Sequence, residues 1–208
     1  MTSASSRSKL VLATLNPAKA RELQTLLGAV PFEVVSLATV PGAHLPPEGE
    51  SSYVANALAK ARAAARLTGA LALADDSGLE VDALGGQPGI ASARYGGPGL
   101  SDAERCTRLL QALTGVPPEQ RGARFRCVIA LADPAGHEQL VEGGAEGQIT
   151  SAPRGSDGFG YDPIFLYLPL GQTFAELSPE VKNQVSHRGR ATARARELLR
   201  SWPGRSGT

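Results

Sequence analysis

The sequence predicts an α/β fold: a mixed β-sheet flanked by helices, arranged in two lobes with a central substrate cleft. Two observations predict it. Short apolar runs alternate with helical segments in the first half of the 208-residue chain, and a long hairpin of alternating polar and apolar residues follows in the second half. A chain of this length can bury roughly 70% of its unfolded surface, so its size requires no disulfide to hold it together.

Local signals place the individual elements. Apolar runs predict strands at 10–13, 34–35 and 71–73, and alternation predicts a strand at 125–131 that a turn at 133–136 joins to a partner at 139–149. Capping residues predict helices from Asn16-Pro17 to near Gly28, from Ser101 through Leu113, and after Ser178-Pro179. An alanine-rich run stopped by Gly69 predicts a helix from about Tyr53 to Leu67. We see no internal repeat and no linker. We therefore predict a disordered tail at 1–8, a single catalytic domain at 9–202 and a C-terminal tail at 203–208.

Composition excludes several classes of partner. The 21 basic residues nearly balance the 20 acidic ones, which gives no case for a nucleic acid polymer or an anionic membrane as the partner. No apolar run is long enough for a secretion signal or a membrane span. Cys106 and Cys127 lack a Cys-x-x-Cys spacing, and we predict buried, reduced thiols in a cytoplasmic protein.

Two adjacent carboxylates, Asp75 and Asp76, follow the third apolar run. We predict that the strand ends there and that Ser77-Gly78 turns the backbone. Neighbouring side chains on a strand point to opposite faces, so one of the two is expected to carry the chemistry. Oxygen ligands with no cysteine or histidine nearby favour Mg²⁺, which commonly binds phosphate substrates as well. The alternative is that one of these aspartates only caps the turn.

The loop from Thr14 to Lys19 joins a predicted strand to a predicted helix. Free backbone N–H groups and the positive end of the helix dipole favour an anion at this place, and Lys19 adds a full charge. A helix cap without a ligand is the alternative.

Two later segments carry aromatic and cationic groups. Glycines surround Phe159 in the loop 153–163, where they would let a flat ligand approach the backbone and stack on the ring. The alternative is a glycine-rich hairpin with a core phenylalanine. Lys182, His187 and Arg188 then offer donors for phosphate oxygens or for a carbonyl edge of a base, unless they form a solvated face in the basic end at 182–205.

Several sequence blocks occur together and in order: Thr14 to Lys19, Asn56-Ala57 with Lys60-Ala61, Ala74 to Gly89 with Ser92 to Tyr95, Gly158 to Phe165, Ala175 to Leu177, and Lys182 with Ser186 to Gly189. With these blocks the chain resembles the inosine triphosphate pyrophosphatases over nearly its whole length. The resemblance implies an ITPase-like fold, a homodimer and Mg²⁺ dependence. It also implies hydrolysis of ITP, dITP and XTP to monophosphate and pyrophosphate, which keeps deaminated purines out of DNA and RNA.

By position, the resemblance makes Asp76 the general base and a metal-associated carboxylate, with Ser77 touching the substrate. The other implied roles are triphosphate contacts for Thr14, Leu15, Asn16, Pro17, Ala18 and Lys19, base contacts for Phe159, Gly160, Tyr161 and Asp162, and further nucleotide contacts for Lys182, His187 and Arg188.

One segment departs from the family pattern. The family commonly has a Glu-Glu-Thr-Gly-like stretch before the long helix, whereas this chain reads Pro47-Glu48-Gly49-Glu50. Counting back from Asn56 places the second glutamate on Glu48. We expect Glu48 to be the second metal ligand, with Glu50 as the alternative.

Base selection is expected to depend on the 6-oxo group of the purine, which Arg188 or a backbone N–H would recognise. Rival functions remain at this point. The related Maf-type pyrophosphatases act on other nucleotides, and a nucleotide-binding regulator would not turn substrate over. The chain has no Gly-x4-Gly-Lys-Ser/Thr loop and no Glu-Glu dipeptide, which excludes P-loop and Nudix enzymes.

Overall fold

A computed structural model describes residues 7–49 and 51–203 and confirms the predicted α/β fold. The helices are α1 Pro17–Leu27, α2 Tyr53–Thr68, α3 Asp102–Ala112, α4 Pro179–Val185 and α5 His187–Arg200. The strands are β1 Lys9–Leu12, β2 Glu33–Ser36, β3 Leu71–Val81, β4 Pro88–Gly89, β5 Gly122–Ala132, β6 Glu138–Ile149, β7 Phe165–Tyr167 and β8 Gln172–Thr173. Of the predicted tails, 1–6 and 204–208 lie outside the described residues.

The strands form one mixed sheet. Its order through the described residues is β2-β1-β3-β5-β6-β7-β8, with β4 paired to β3. β1 runs parallel to both β2 and β3, while β7 is antiparallel to β6 and β8. The carboxyl ends of parallel strands meet at one edge, so the residues following β1 come to the same edge as the middle of the longer β3.

The chain groups into two compact units, each with its own apolar core. The first contains the described residues of Met1–Asp76, Val128–Glu142 and Ala191–Thr208, and the second contains Ser77–Cys127 and Gly143–Arg190. Alanines of α2 pack on Val11, Ala72 and Ala130 in the first unit. The second core is richer in aromatic residues, among them Phe125, Phe165 and Phe174. The prediction of a single domain stays a prediction.

The structure confirms the predicted helices. They could be predicted because the signals for helix ends lie within a few residues of the chain. Asn16 caps α1, Ser52 caps α2, and Ser101 and Glu104 form the predicted capping box of α3. The two-residue strands β4 and β8 and the three-residue β7 were not predicted, because so few residues carry no readable period. Among the helices of the described residues, none is long and apolar enough to cross a membrane.

The prediction that the third strand ends before Ser77-Gly78 is wrong. β3 continues without a turn from Leu71 to Val81 and carries Asp75 and Asp76 in its middle. Neither aspartate therefore caps a turn. Both carboxylates are buried, with 2% and 4% of the residue exposed. A strand can hold two buried carboxylates only if cations or hydrogen-bond donors meet them.

Candidate active site

Helix α2 delivers two polar side chains to Asp76. Asn56 Nδ2 donates to Asp76 Oδ2 at 3.0 Å, and Lys60 Nζ donates to Asp76 Oδ1 at 3.1 Å. Asn56 and Lys60 are four residues apart and therefore lie on one face of α2. That face also packs Ala57, Ala61 and Ala64 into the core, so both polar groups are buried with it. Each oxygen of Asp76 thus has its own donor.

The same two residues fix Glu48. Lys60 Nζ lies 2.9 Å from Glu48 Oε1, so its ammonium group bridges the carboxylates of Glu48 and Asp76. Asn56 also accepts a hydrogen bond from Gly49 N and donates one to Gly49 O. Through Asn56 and Lys60, the segment before α2 is consequently tied to Asp76 on β3. Glu50, the alternative ligand, lies outside the described residues.

Burial and charge set the proton affinities of this group, which we call the carboxylate cluster (Glu48, Asn56, Lys60 and Asp76). Burial lowers the pKa of Lys60, but the carboxylates of Asp75, Asp76 and Glu48 together raise it above its ordinary value. Lys60 is therefore an ammonium ion at neutral pH. Burial raises the pKa of Asp76, and this outweighs the opposing effects of Lys60 and Asn56. Asp76 is thus a stronger base than an exposed aspartate.

The carboxylate cluster fits a divalent cation by its donor chemistry. Glu48 and Asp76 present only carboxylate oxygens, and both already contact one positive charge, that of Lys60. Mg²⁺ commonly takes one or two carboxylates and completes its shell with water and substrate phosphate. The described part of the chain contains no group of three or more His, Cys, Asp or Glu residues arranged to hold a metal.

Asp75 points to the other face of β3 and meets Lys19. Lys19 Nζ lies 3.3 Å from Asp75 Oδ2, and the Asp75 side chain is 1% exposed. The expectation of free backbone donors at the start of α1 is wrong for two of them, because the N–H groups of Ala18 and Lys19 donate to Asn16 Oδ1. These two N–H groups are therefore satisfied within the helix cap.

In the second unit, Phe159 lies close to two cations. Its half-buried ring has Lys182 Nζ 5.2 Å and Arg188 Cζ 5.5 Å from the centroid, within the range of cation–π attraction. Lys182 also forms a 2.6 Å ion pair with buried Asp162, which accepts a hydrogen bond from Phe159 N. Phe159 is not part of the aromatic core, so the alternative of a core phenylalanine is wrong.

Arg188 and His187 open α5 and are both buried. Arg188 Nη2 donates to Ser77 Oγ at 2.8 Å, so Ser77 orients this guanidinium group. The ring of His187 stacks on Phe125, with 4.5 Å between centroids. The alternative of a solvated face is wrong here, since Lys182, His187 and Arg188 are 8%, 4% and 3% exposed.

Comparison with known proteins identifies the family of this chain. The model of the Ham1 family matches residues 10–198. The chain belongs to the Ham1 family. It is 51% identical to a dITP/XTP pyrophosphatase of Desulforamulus reducens, over 92% of this chain and 95% of that one. It is 52% identical to a dITP/XTP pyrophosphatase of Methylococcus capsulatus, over 95% of this chain and 99% of that one. The Ham1 protein structure from Staphylococcus aureus superposes with a TM-score of 0.82 at 36% identity, covering 93% of this chain and 98% of that one.

Two residues of this site were given no role in the sequence analysis. Asn56 and Lys60 were noticed only as part of a resemblance, yet they hold both oxygens of Asp76. A signal was present, because a polar residue at each of two positions four apart interrupts the alanine stripe of α2. Buried polar residues on an otherwise apolar helix face require partners, and here the partners are carboxylates.

The pair of Lys19 and Asp75 should contribute to folding stability. Lys19→Met removes the cation beside a buried carboxylate and should lower the free energy of unfolding by about 1–3 kcal/mol in urea denaturation. Adding Asp75→Asn should restore most of the loss, because the buried charge is then gone. The matched control is Arg21→Met, an exposed cation on the same helix, which should change stability little. A double variant no more stable than Lys19→Met would contradict the coupling.

Proposed function

We propose that this protein hydrolyses deaminated purine nucleoside triphosphates, namely ITP, dITP and XTP, to the monophosphate and pyrophosphate. The observation that carries the proposal is the buried Asp76 carboxylate on β3 of a Ham1-family fold, which Asn56 and Lys60 hold by hydrogen bonds. A carboxylate with raised pKa and fixed orientation suits a general base. The dITP/XTP pyrophosphatases that resemble the chain over nearly its full length support the choice of substrate.

In the proposed reaction, Asp76 accepts a proton from a water molecule as the water oxygen bonds to the α-phosphorus. The bond from that phosphorus to the bridging oxygen breaks, and pyrophosphate leaves. Thr14, Asn16 and Lys19 follow β1 and take the phosphates by side-chain contacts. Lys182 provides a second ammonium group for the nucleotide. Fixed charges stabilise the negative charge of the transition state without reorganisation during the reaction.

We propose Mg²⁺ as the cofactor, with Asp76 and Glu48 as its ligands. When bound, Mg²⁺ would offset the charge of the phosphate oxygens. The proposal is supported by the side chains of Glu48 and Asp76, which offer only carboxylate oxygens as ligands. Both carboxylates already contact one cation, the Lys60 ammonium group. Lys60 keeps the two carboxylates close to each other and balances part of their charge.

The base is assigned to the group around Phe159. A purine stacked on this ring would meet a flat aromatic face whose surroundings are cationic. Hypoxanthine and xanthine carry a 6-oxo acceptor where adenine carries an amino donor. Arg188, oriented by Ser77, is the proposed donor to that acceptor.

Assembly and location are also proposals. The resemblance to the inosine triphosphate pyrophosphatases supports a homodimer. Cys106 and Cys127 are both buried and neither forms a disulfide, which supports a reducing compartment such as the cytoplasm.

A panel of nucleoside triphosphates tests the proposed function. ITP, dITP, XTP, GTP and ATP are assayed for released pyrophosphate, with and without Mg²⁺. We expect pyrophosphate from the first three only in the presence of Mg²⁺ and far less from ATP. Pyrophosphate released mainly from GTP or ATP would favour an activity on other nucleotides, such as that of the Maf-type enzymes. Binding of ITP without any product would favour a nucleotide-binding regulator.

Removing the ring of Phe159 should weaken base binding. Phe159→Ala is expected to cost about 1–3 kcal/mol, so KM should rise about 5- to 150-fold for all purine substrates alike. Phe159→Trp retains an aromatic face and serves as the matched control. Inhibition by inorganic tripolyphosphate, which has no base, should not change. An unaltered KM in Phe159→Ala would remove this residue from base recognition.

A further inference from the structure

The loop that carries Phe159 is held by helix α3. Gly160 N donates a hydrogen bond to Asp102 Oδ2 at 2.7 Å, and Gly160 O accepts one from Cys106 Sγ at 3.3 Å. Asp102 and Cys106 are four residues apart, so both lie on the same face of α3. One helix face therefore holds the N–H and the C=O of a single glycine.

The chemistry of each partner matches the group that it holds. A carboxylate such as Asp102 only accepts hydrogen bonds, and its charge strengthens the bond from the Gly160 N–H. Burial and the negative charges of Asp102 and Asp162 raise the pKa of the Cys106 thiol to about 12. The thiol therefore keeps its proton at neutral pH and remains a donor to the Gly160 carbonyl.

These contacts fix the backbone on the C-terminal side of Phe159. The peptide group between Phe159 and Gly160 has its N–H on Asp102, while the Phe159 carbonyl accepts from Asp162 N at 3.3 Å. Rotation of this peptide would break both bonds. Gly160 has a φ of +62°, and glycine loses more conformational freedom on ordering than any other residue. Without Asp102, substrate binding would have to order this segment itself.

We propose that Asp102 is a positioning residue for purine recognition. It acts through Gly160 by fixing the backbone that presents the Phe159 ring, and it is not itself assigned to the substrate. The proposal rests on the proposed function, because it takes Phe159 as the residue that stacks on the base. Cys106 supports the same peptide from the next turn of α3.

The kinetic test compares Asp102→Ala with Glu104→Ala. Both acidic residues lie in the first turn of α3, where negative charge stabilises the positive end of the helix dipole. Glu104, however, belongs to the capping box, and its carboxylate accepts hydrogen bonds from the N–H and the hydroxyl of Ser101. Asp102→Ala should raise KM for ITP about tenfold, the usual scale for one charge-assisted hydrogen bond, without changing inhibition by tripolyphosphate. Glu104→Ala should leave KM unchanged even if it lowers the unfolding temperature.

A double-variant cycle distinguishes positioning from a general structural effect. In the Phe159→Ala background, Asp102→Ala should raise KM no further, because the ring that Asp102 positions is absent. Asp102→Asn should be intermediate, since its amide oxygen is a neutral acceptor. An unchanged KM in Asp102→Ala, or an equal rise with and without Phe159, would overturn the proposal.

Amide hydrogen exchange tests the tether independently of activity. Exchange in the segment 158–162 should be about tenfold faster in Asp102→Ala and unchanged in Glu104→Ala, whether or not the protein hydrolyses ITP. Equal exchange in both variants would overturn the proposal. A wild-type protein that releases no pyrophosphate from ITP would instead refute the proposed function.

Discussion

Asp76→Asn should reduce kcat for ITP hydrolysis at least about 100-fold, within the usual reach of general-base catalysis. The substitution keeps the size of the side chain but removes the proton acceptor and most of its affinity for a cation. Asp76 is the carboxylate whose two oxygens receive donors from Asn56 and Lys60. Steady-state kinetics with ITP measure the effect, and the unfolding temperature shows whether the variant remains folded.

Asp75→Asn is the matched control, because it changes the neighbouring buried carboxylate on the opposite face of β3. Its effect on kcat should be much smaller than that of Asp76→Asn. Near-normal turnover in a folded Asp76→Asn variant would place the base elsewhere, and a large loss in Asp75→Asn would then identify Asp75.

The pH dependence of the wild type should agree with this role. Burial raises the pKa of Asp76, so its carboxylate takes up a proton at a higher pH than an exposed aspartate does. Only the ionised form can accept a proton from water. Measured at low Mg²⁺ concentration, kcat/KM should therefore fall as the pH decreases through this raised pKa, and Asp76→Asn should lose that limb of the profile.

Arg188→Ala should narrow the preference for ITP over ATP. A site built around a hydrogen bond to the 6-oxo group can discriminate by up to about 10⁴-fold, and most of that ratio should disappear with the donor. Arg188 is 3% exposed, and its guanidinium group is oriented by Ser77, which suits a donor of fixed direction. The measurement is the ratio of kcat/KM for ITP to that for ATP.

Two further variants keep this test decisive. Arg188→Lys retains the positive charge but loses the planar guanidinium group with its paired N–H donors. The preference for ITP over ATP should therefore fall while the protein stays folded. Ser77→Ala removes the acceptor that orients Arg188 and should lower the preference less. If ITP and ATP activities fell by the same factor in all three variants, Arg188 would be a phosphate-binding or structural residue. The base would then be read by His187 or by the backbone at 159–162.

Sequence alone predicted the elements whose signals are local. The Asn16-Pro17 start of α1, the alanine stripe of α2 and the capping box at Ser101 each lie within a few residues, and the structure has a helix at each place. The strands β4, β7 and β8 have only two or three residues each, which is too few to show a readable period.

The error at Asp75 and Asp76 has a physical cause. Two adjacent aspartates before Ser-Gly are typical of a turn, because buried carboxylates are costly without partners. The partners are Lys19 and Lys60, which lie on two different helices and meet β3 only in the folded chain. The prediction that the two neighbouring side chains point to opposite faces of the strand was confirmed. Asp75 therefore pairs with Lys19 on one face, and Asp76, the proposed base, lies on the other.

The site of water attack tests the central claim most directly. ITP is hydrolysed in H₂¹⁸O by the pure protein with Mg²⁺, and the products are examined by mass spectrometry. Attack at the α-phosphorus predicts one ¹⁸O atom in IMP, unlabelled pyrophosphate and no orthophosphate. Label in the pyrophosphate, or IDP with labelled orthophosphate, would contradict the assignment.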